Sequence, residues 1–143
     1  MSKLIFVNLP VADVARSTAF YESIGAVKNE QFSDATASGM VFSETIHVML
    51  LTHDKFRQFT PKAIADARTT SEVLICISAD SREDVDSMVE KAASAGGKVD
   101  PGPKQDYGFM YGRSFEDPDG HIWEVMWMDV KAALAAGKEQ AAA

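Results

Sequence analysis

The sequence carries one pattern of helix-starting and helix-ending signals twice. Asp13 precedes an apolar-periodic stretch that ends at Gly25, and Asp80 precedes another that ends at Gly96. The two aspartates lie 67 residues apart and the two glycines 71, a drift that loops of different length would produce. Asp is a common helix N-cap, and Gly takes the left-handed conformation with which helices often end. An internal duplication explains both pairs, and it restricts the fold to two similar units.

The stretches between these signals predict the same order of elements in each half. The first helix is predicted at residues 14–24, and the second follows Ser81, where apolar residues recur at i, i+3, i+4 and i+7. The predicted strands are residues 4–9, 26–32, 39–43, 46–52, 72–78, 98–99, 109–115 and 121–129. Each half is thus a βαβββ unit in an α+β chain. A ferredoxin-like sandwich is the alternative, and it requires residues 39–43 or 109–115 to be loop.

Residues 53–71 interrupt the repeat and connect its halves. A short helix is predicted at residues 62–67, and we interpret the whole segment as a linker, a lid or both. The expected division is 1–129 for a single domain, about 3–52 and 72–129 for its two pseudo-repeats, and 130–143 for an Ala-rich, helical C-terminal tail.

Composition and charge exclude several classes of protein. The chain has 143 residues, 46% of them hydrophobic, which is enough to bury a core without metal or disulfides. Its formal net charge is −7 and no three Lys or Arg residues are adjacent, so we expect no nucleic-acid and no membrane partner. The single cysteine, Cys76, lies in an apolar run and is interpreted as a buried small hydrophobe. No apolar run has the length of a membrane span or a signal peptide, which predicts a cytoplasmic protein.

Two motifs resemble those of the vicinal oxygen chelate superfamily, which includes glyoxalase I, extradiol dioxygenases, fosfomycin-resistance enzymes and bleomycin-binding proteins. The first motif comprises Leu9-Pro10-Val11-Ala12-Asp13, Arg16-Ser17 and Phe20-Tyr21, and the second is the run from Phe115 to Glu124 around Asp117-Pro118-Asp119-Gly120. The resemblance covers about residues 3–129. It implies two tandem βαβββ modules whose curved mixed sheets enclose a cavity for a small-molecule ligand.

The resemblance also implies where a metal ion would be held. In metal-dependent members, one ligand comes from the first and one from the last strand of each module. These positions fall at Phe6, at Met49 or Leu50, within residues 72–74, and at Glu124. Three or more protein ligands are usual for catalytic zinc, so we predict an incomplete metal centre and assign no cofactor. A divalent metal remains the alternative if His47 and Glu72 supply displaced ligands, although strand alternation argues against His47.

Glu124 is the candidate catalytic residue. Ile122 and Met126 flank it on the same strand face and would give the carboxylate an apolar setting. We interpret Glu124 as a ligand contact or general base. Pairing with Arg113 across the last hairpin is an equally good interpretation.

The candidate ligand-binding residues lie at both ends of the repeat. Phe6 and Asn8 share one face of the first strand, so both face the implied cavity if Phe6 occupies the ligand position. Tyr107, Phe109 and Tyr111 alternate, and on a strand they would form an aromatic wall suited to a flat or apolar ligand. Core packing is the alternative role for these three rings.

Two functions remain open at this point. One is a small-molecule-binding protein of the glyoxalase, bleomycin-resistance and dioxygenase type, with an incomplete metal centre. The other is a metal-dependent lyase, similar to lactoylglutathione lyase, or a dioxygenase with displaced ligands. Members of the superfamily often dimerise, and we predict a homodimer in which Trp123 and Trp127 supply contact surface.

Overall fold

In the described part of the chain, nine strands form two mixed sheets with the same internal order. In the computed structural model, which describes residues 2–142, the N-terminal sheet contains β1 (Ile5–Val11), β2 (Val27–Asn29), β3 (Ala37–Val41) and β4 (Ile46–Thr52). The C-terminal sheet contains β5 (Ile75–Ser78), β6 (Lys98–Val99), β7 (Gln105–Asp106), β8 (Met110–Glu116) and β9 (Ile122–Met128). The orders are β1-β4-β3-β2 and β5-β9-β8-β6, with β7 also paired to β8. In each sheet, the strand that comes first in the sequence pairs in parallel with the strand that comes last: β1 with β4, and β5 with β9. This topology confirms the two predicted βαβββ modules and the α+β class.

Over the described residues 2–142, four α-helices accompany the sheets: α1 (Val14–Ser23), α2 (His53–Arg57), α3 (Arg82–Ser94) and α4 (Val130–Ala142). Asp13 caps α1 as predicted, and its carboxylate accepts a hydrogen bond from the Arg16 amide at 3.0 Å. The cap of α3 is Ser81 and not Asp80, because the Ser81 hydroxyl accepts from the third amide of that helix. Within residues 2–142, none of the helices has the length and apolar content needed to cross a membrane.

Both modules contribute to one core. α1 covers one face of the N-terminal sheet and α3 one face of the C-terminal sheet, and the side chains between them form a continuous cluster. Its largest fully buried members are Trp123, Tyr21, Phe20, Phe115 and Met40. Trp123 is 1% exposed inside this chain, so the expectation that it supplies subunit contact surface is wrong. Trp127 is half-buried against the same core.

The turn after β8 fixes one module to the other. The Asp119 carboxylate accepts from the Ala12 amide at 2.8 Å, at the start of α1. The Tyr21 hydroxyl donates to the buried Asp117 carboxylate at 2.6 Å and accepts from the Trp123 indole at 3.0 Å. Burial raises the pKa of both Tyr21 and Asp117. This buried network joins α1 to the C-terminal sheet.

Several local expectations differ from the structure. Residues 30–32, predicted as strand, form a 3₁₀ turn, and β5 starts at Ile75 and not at residue 72. β1 continues through Pro10, because β1 is the outer strand of its sheet and a proline without an N–H is tolerated there. The helix between the modules is α2, which starts after Thr52, and not residues 62–67. The Thr52 hydroxyl accepts from the Lys55 amide at 3.2 Å, so a local cap decides where this helix begins.

Candidate functional site

Glu124 points away from the core. Trp123 and Val125, its neighbours on β9, are buried against α3, and strand alternation therefore directs Glu124 to the opposite side. Each sheet has one face that packs against α1 or α3, and we call the opposite face the open face. In register, Glu124 lies between Cys76 on β5 and Ser114 on β8.

A cavity of about 340 Å³ surrounds Glu124 on this open face, and we call it the Glu124 pocket. Its apolar wall consists of Leu74, Ile122, Met110, Met126, Pro101 and Pro103. The loop that carries the two prolines is held over the sheet, because the Gly102 amide donates to the Ser114 hydroxyl at 3.1 Å. The volume is at the lower end of the range typical of small-molecule sites.

The Glu124 carboxylate has no charged partner in the part of the chain that the structure describes. Arg113, the alternative partner, pairs with Asp86 at 3.0 Å and Asp100 at 2.8 Å. Those contacts raise the pKa of Arg113 and leave its guanidinium engaged away from Glu124. Glu124 is thus a half-buried carboxylate beside apolar side chains.

Cys76 is exposed, so the expectation of a buried cysteine is wrong. Desolvation, and the nearby charge of Glu124, raise the pKa of its thiol. A raised pKa keeps the sulfur protonated at neutral pH, which disfavours a nucleophilic role.

Phe6 and Asn8 lie on the open face of the N-terminal sheet. Phe6 is 51% exposed and stacks on His47 of the neighbouring strand, with ring centroids 4.7 Å apart. His47 thus shares the open face with Phe6, contrary to the argument from alternation. Asn8 lines a separate cavity of about 260 Å³ beneath residues 53–71, and Ile122 borders both this cavity and the Glu124 pocket. Asn8 and Ile122 thus line the same cavity, but Asn8 does not line the Glu124 pocket.

The three predicted aromatic wall residues do not line the Glu124 pocket. Tyr111 lies on the helix-covered face, where its hydroxyl donates to Asp86 of α3 at 2.7 Å. Tyr107 and Phe109 stack on each other at 6.3 Å in the loop before β8. The predicted alternation fails because the strand starts only at Met110, after Gly108 has taken a φ of +79°.

The described side chains around Glu124 form an incomplete donor set for a divalent metal ion. Among the described residues, no three His, Cys, Asp or Glu side chains lie close enough together to hold one. Glu124 is flanked along its strand by Ile122 and Met126, and across the sheet by a thiol and a hydroxyl. One carboxylate in such surroundings is fewer than the three protein ligands of a typical zinc site.

Sequence reasoning missed Ser114 and the Pro101–Pro103 loop. The Pro-Gly-Pro run was readable as a loop signal. Its position over Glu124 depends on the strand register, which local patterns do not reveal.

Comparisons with known proteins agree with this architecture. The model of the Glyoxalase/Bleomycin resistance protein/Dioxygenase superfamily matches residues 3–125. No curated protein sequence matches the chain. A solved structure of hypothetical protein SA1046 from S. aureus is 26% identical, with a TM-score of 0.74 over 89% of this chain and 94% of the other.

Two further solved structures share the fold at lower identity. A glyoxalase/bleomycin resistance protein/dioxygenase family enzyme from Burkholderia phytofirmans PsJN has a TM-score of 0.72 and 20% identity, over 89% of this chain and 99% of the other. The fosfomycin resistance protein FosX from Listeria monocytogenes has a TM-score of 0.66 and 18% identity, over 92% and 97%. Since the family model spans most of the sequence, the chain belongs to the Glyoxalase/Bleomycin resistance protein/Dioxygenase superfamily.

Proposed function

We propose that this protein binds a small organic molecule in the Glu124 pocket, with Glu124 as the polar anchor. The observation that supports this most directly is the Glu124 carboxylate, which has no charged partner among the described residues and borders an apolar cavity. Burying a carboxylate beside apolar groups is unfavourable unless something pairs with it. A ligand that supplies the missing partner compensates for that burial.

The surroundings of Glu124 favour a ligand with a positively charged or hydrogen-bond-donating group on an apolar body. A carboxylate accepts the hydrogen bonds of an ammonium group, and such charge-assisted bonds are strong. Methionine, leucine and isoleucine side chains contact an apolar body without demanding one shape. Where the ligand is also transformed, Glu124 is the group positioned to accept its proton.

Probe binding tests this proposal. Benzylamine, benzyl alcohol and benzoate share an aromatic ring and differ in charge, so calorimetric titration with the three probes isolates the role of the carboxylate. We expect benzylamine to bind the wild type more tightly than the other two and to lose about tenfold in affinity in Glu124→Gln. Glu116→Gln, on the same face of the same sheet, is the matched control. Equal binding of benzylamine to wild type and Glu124→Gln contradicts the proposal.

A metal-dependent lyase or dioxygenase with displaced ligands is the second candidate. The position of His47 beside Phe6 on the open face favours it, and Glu72 lines the cavity that contains Asn8. Elemental analysis after incubation with Ni²⁺, Zn²⁺, Fe²⁺ or Mn²⁺ separates the two candidates. Stoichiometric metal retained by the wild type and lost in Glu124→Ala would contradict an incomplete metal centre and favour the second candidate.

We propose further that the protein is a cytoplasmic homodimer. β1 and β5 are the outer strands of their sheets, and exposed apolar side chains accompany both edges. Leu4 and Ile5 are 53% and 56% exposed, and Val73 and Leu74 are 61% and 57% exposed. Natural proteins usually cover such edges. Light scattering should give close to twice the 15.5 kDa chain mass, and a monomer at micromolar concentration contradicts the proposal.

A further inference from the structure

A third and larger cleft lies away from the Glu124 pocket. Residues 53–71, which we call the connector, enclose it together with the first turn of α1 and the Pro118–Asp119 turn. Its volume is about 500 Å³, and it shares no lining residue with the Glu124 pocket. We call it the arginine cleft, because Arg16, Arg57 and Arg68 line it.

The charge of this cleft is opposite to that of the whole protein. The chain has five arginines, three histidines and a formal net charge of −7. Three of the five arginines and two of the three histidines line the arginine cleft. Of the 21 acidic residues, Asp66 and Asp119 line it. Arginine and histidine side chains are therefore concentrated at one place in an acidic protein.

The two lining carboxylates are already engaged. Both oxygens of Asp119 accept hydrogen bonds from module-joining groups, the Ala12 amide at 2.8 Å and the Ser17 hydroxyl at 3.2 Å. Asp66 pairs with Arg68 two residues along the connector, at 3.0 Å. Because the Asp119 carboxylate is held by these hydrogen bonds between the modules, it does not form ion pairs with the arginines of the cleft.

Arg16 can receive an added anion directly, whereas Arg57 and Arg68 hold ion pairs, the latter through two hydrogen bonds to Asp66 at 3.0 and 3.2 Å. Arg16 donates to the Pro118 carbonyl at 3.4 Å and forms no ion pair within the described residues. Arg57 pairs with Asp54 within one turn of α2, and Arg68 pairs with Asp66, with both pairs exposed to solvent. Exposed ion pairs contribute little to stability and exchange partners readily.

The connector is anchored where it supplies Arg68. A Cβ atom on Gly120 would lie 2.9 Å from the Arg68 Cα, so the backbones of the turn and the connector are in direct contact. Gly120 also has a φ of +92°, which a side chain would strain. This contact holds Arg68 beside the turn in which the Pro118 carbonyl accepts a hydrogen bond from Arg16.

We infer that the arginine cleft binds a phosphate monoester with a small organic body. Guanidinium groups form paired hydrogen bonds to phosphate oxygens, and a phosphate monoester offers three acceptor oxygens and up to two negative charges. Three arginines suit this anion better than a monocarboxylate, which has two oxygens and one charge. The apolar part of the wall is made of proline, alanine and isoleucine side chains, which can contact an organic body. The volume falls within the range of small-molecule sites.

Titration with defined anions tests the inference. Inorganic phosphate, phenyl phosphate and benzoate are added separately to ¹⁵N-labelled protein in low-salt buffer, up to about 10 mM, where even a site of millimolar Kd is largely filled. We expect phenyl phosphate to bind most tightly and to shift amide signals of the connector and of residues 118–121. Benzoate binding as tightly as phenyl phosphate, no binding of phenyl phosphate, or shifts confined to residues around Glu124 would each overturn the inference.

Single substitutions locate the site. Arg16→Gln and Arg68→Gln should each weaken phenyl phosphate binding about tenfold, because each removes a charge-assisted contact. Arg82→Gln removes the same charge from α3, outside the cleft, and should leave the affinity within about twofold. Circular dichroism verifies that the exposed substitutions leave the fold intact. Equal weakening by all three variants would show a nonspecific charge effect and refute the assignment.

Discussion

Replacing Tyr21 by Phe removes a single hydroxyl from the contact between the two modules. That hydroxyl donates to Asp117 at 2.6 Å and accepts from the Trp123 indole at 3.0 Å, and all three residues are at most 4% exposed. The aromatic ring stays, so its edge contacts with Phe20 and Trp123 are preserved. The substitution therefore isolates the hydrogen bonds from the packing.

The expected cost follows from the groups left without a partner. A hydrogen bond to a charged group contributes about 1.5–3 kcal/mol, and a buried donor left unpaired costs about 1–3 kcal/mol. The Asp117 carboxylate keeps the Asp119 and His121 amides, at 3.0 and 2.9 Å, which limits its share of the loss. We expect Tyr21→Phe to lower the free energy of unfolding by about 3 kcal/mol at pH 7.

Urea denaturation of Tyr21→Phe and of Tyr111→Phe measures this cost against a matched control. The Tyr111 hydroxyl also donates to a carboxylate, at 2.7 Å, but Tyr111 and Asp86 are half-buried and Asp86 keeps Arg113. The control should therefore lose less than about 1 kcal/mol. Equal losses in the two variants, or a loss below about 1 kcal/mol in Tyr21→Phe, would refute the account of the module contact.

The same variant has a defined pH dependence. Burial raises the folded-state pKa of Asp117 above its ordinary 3.8, so ionising this carboxyl destabilises the folded chain and its contribution to stability falls as pH rises through the raised pKa. The Tyr21 hydroxyl opposes this, because its hydrogen bond favours the ionised form. The loss in Tyr21→Phe should therefore be larger at pH 7 than at pH 4.

Three further outcomes are expected. Arg113→Gln should cost about 1–2 kcal/mol at pH 7 in urea denaturation. The difference from wild type should shrink below about pH 4, because Arg113 holds the pKa of Asp100 below its usual value and that stabilisation is lost as pH falls through the lowered value. Gly97→Ala should lower the melting temperature by several degrees, since its Cβ would meet a backbone oxygen at 2.6 Å, whereas Gly137→Ala, with open space around it, should not. Amide exchange in residues 53–71 should be faster than in the strands and should slow when phenyl phosphate is added; unchanged exchange would indicate a purely structural connection.

Local signals in the sequence are sufficient to predict the order of helices and strands in each module. α1 begins after Asp13 and ends before Gly25, as the pattern predicts, because a helix cap depends on residues only three or four positions away. The order of strands followed from repetition of those signals. Trp123 was assigned to a subunit contact because its burial depends on Tyr21 and Phe42, which are far away in sequence.

The strand faces predicted for the candidate site residues agree with the structure only in part, for the same reason. Glu124 and Asn8 were placed on open faces by alternation within strands that exist. Tyr111 lies on the other face because it alternates in phase with Phe115, which is buried in the core, whereas Tyr107 and Phe109 precede the strand. His47 was assigned to the wrong face because sequence alone did not show whether Met49 or Leu50 faces the core; Leu50 is fully buried and Met49 is half-buried.

The module contact and the candidate site depend on one strand register. Trp123 and Glu124 are consecutive on β9, so anchoring the indole to the Tyr21 hydroxyl in the core directs the carboxylate to the open face. A slip of one residue would exchange them, placing a carboxylate in the core and an indole on the surface. Burying an unpaired carboxylate is far costlier than the hydrogen bonds lost in Tyr21→Phe, so that variant should keep this register. We therefore expect Tyr21→Phe to lose stability but to bind benzylamine with the affinity of the wild type, whereas Glu124→Gln should lose affinity and keep its stability.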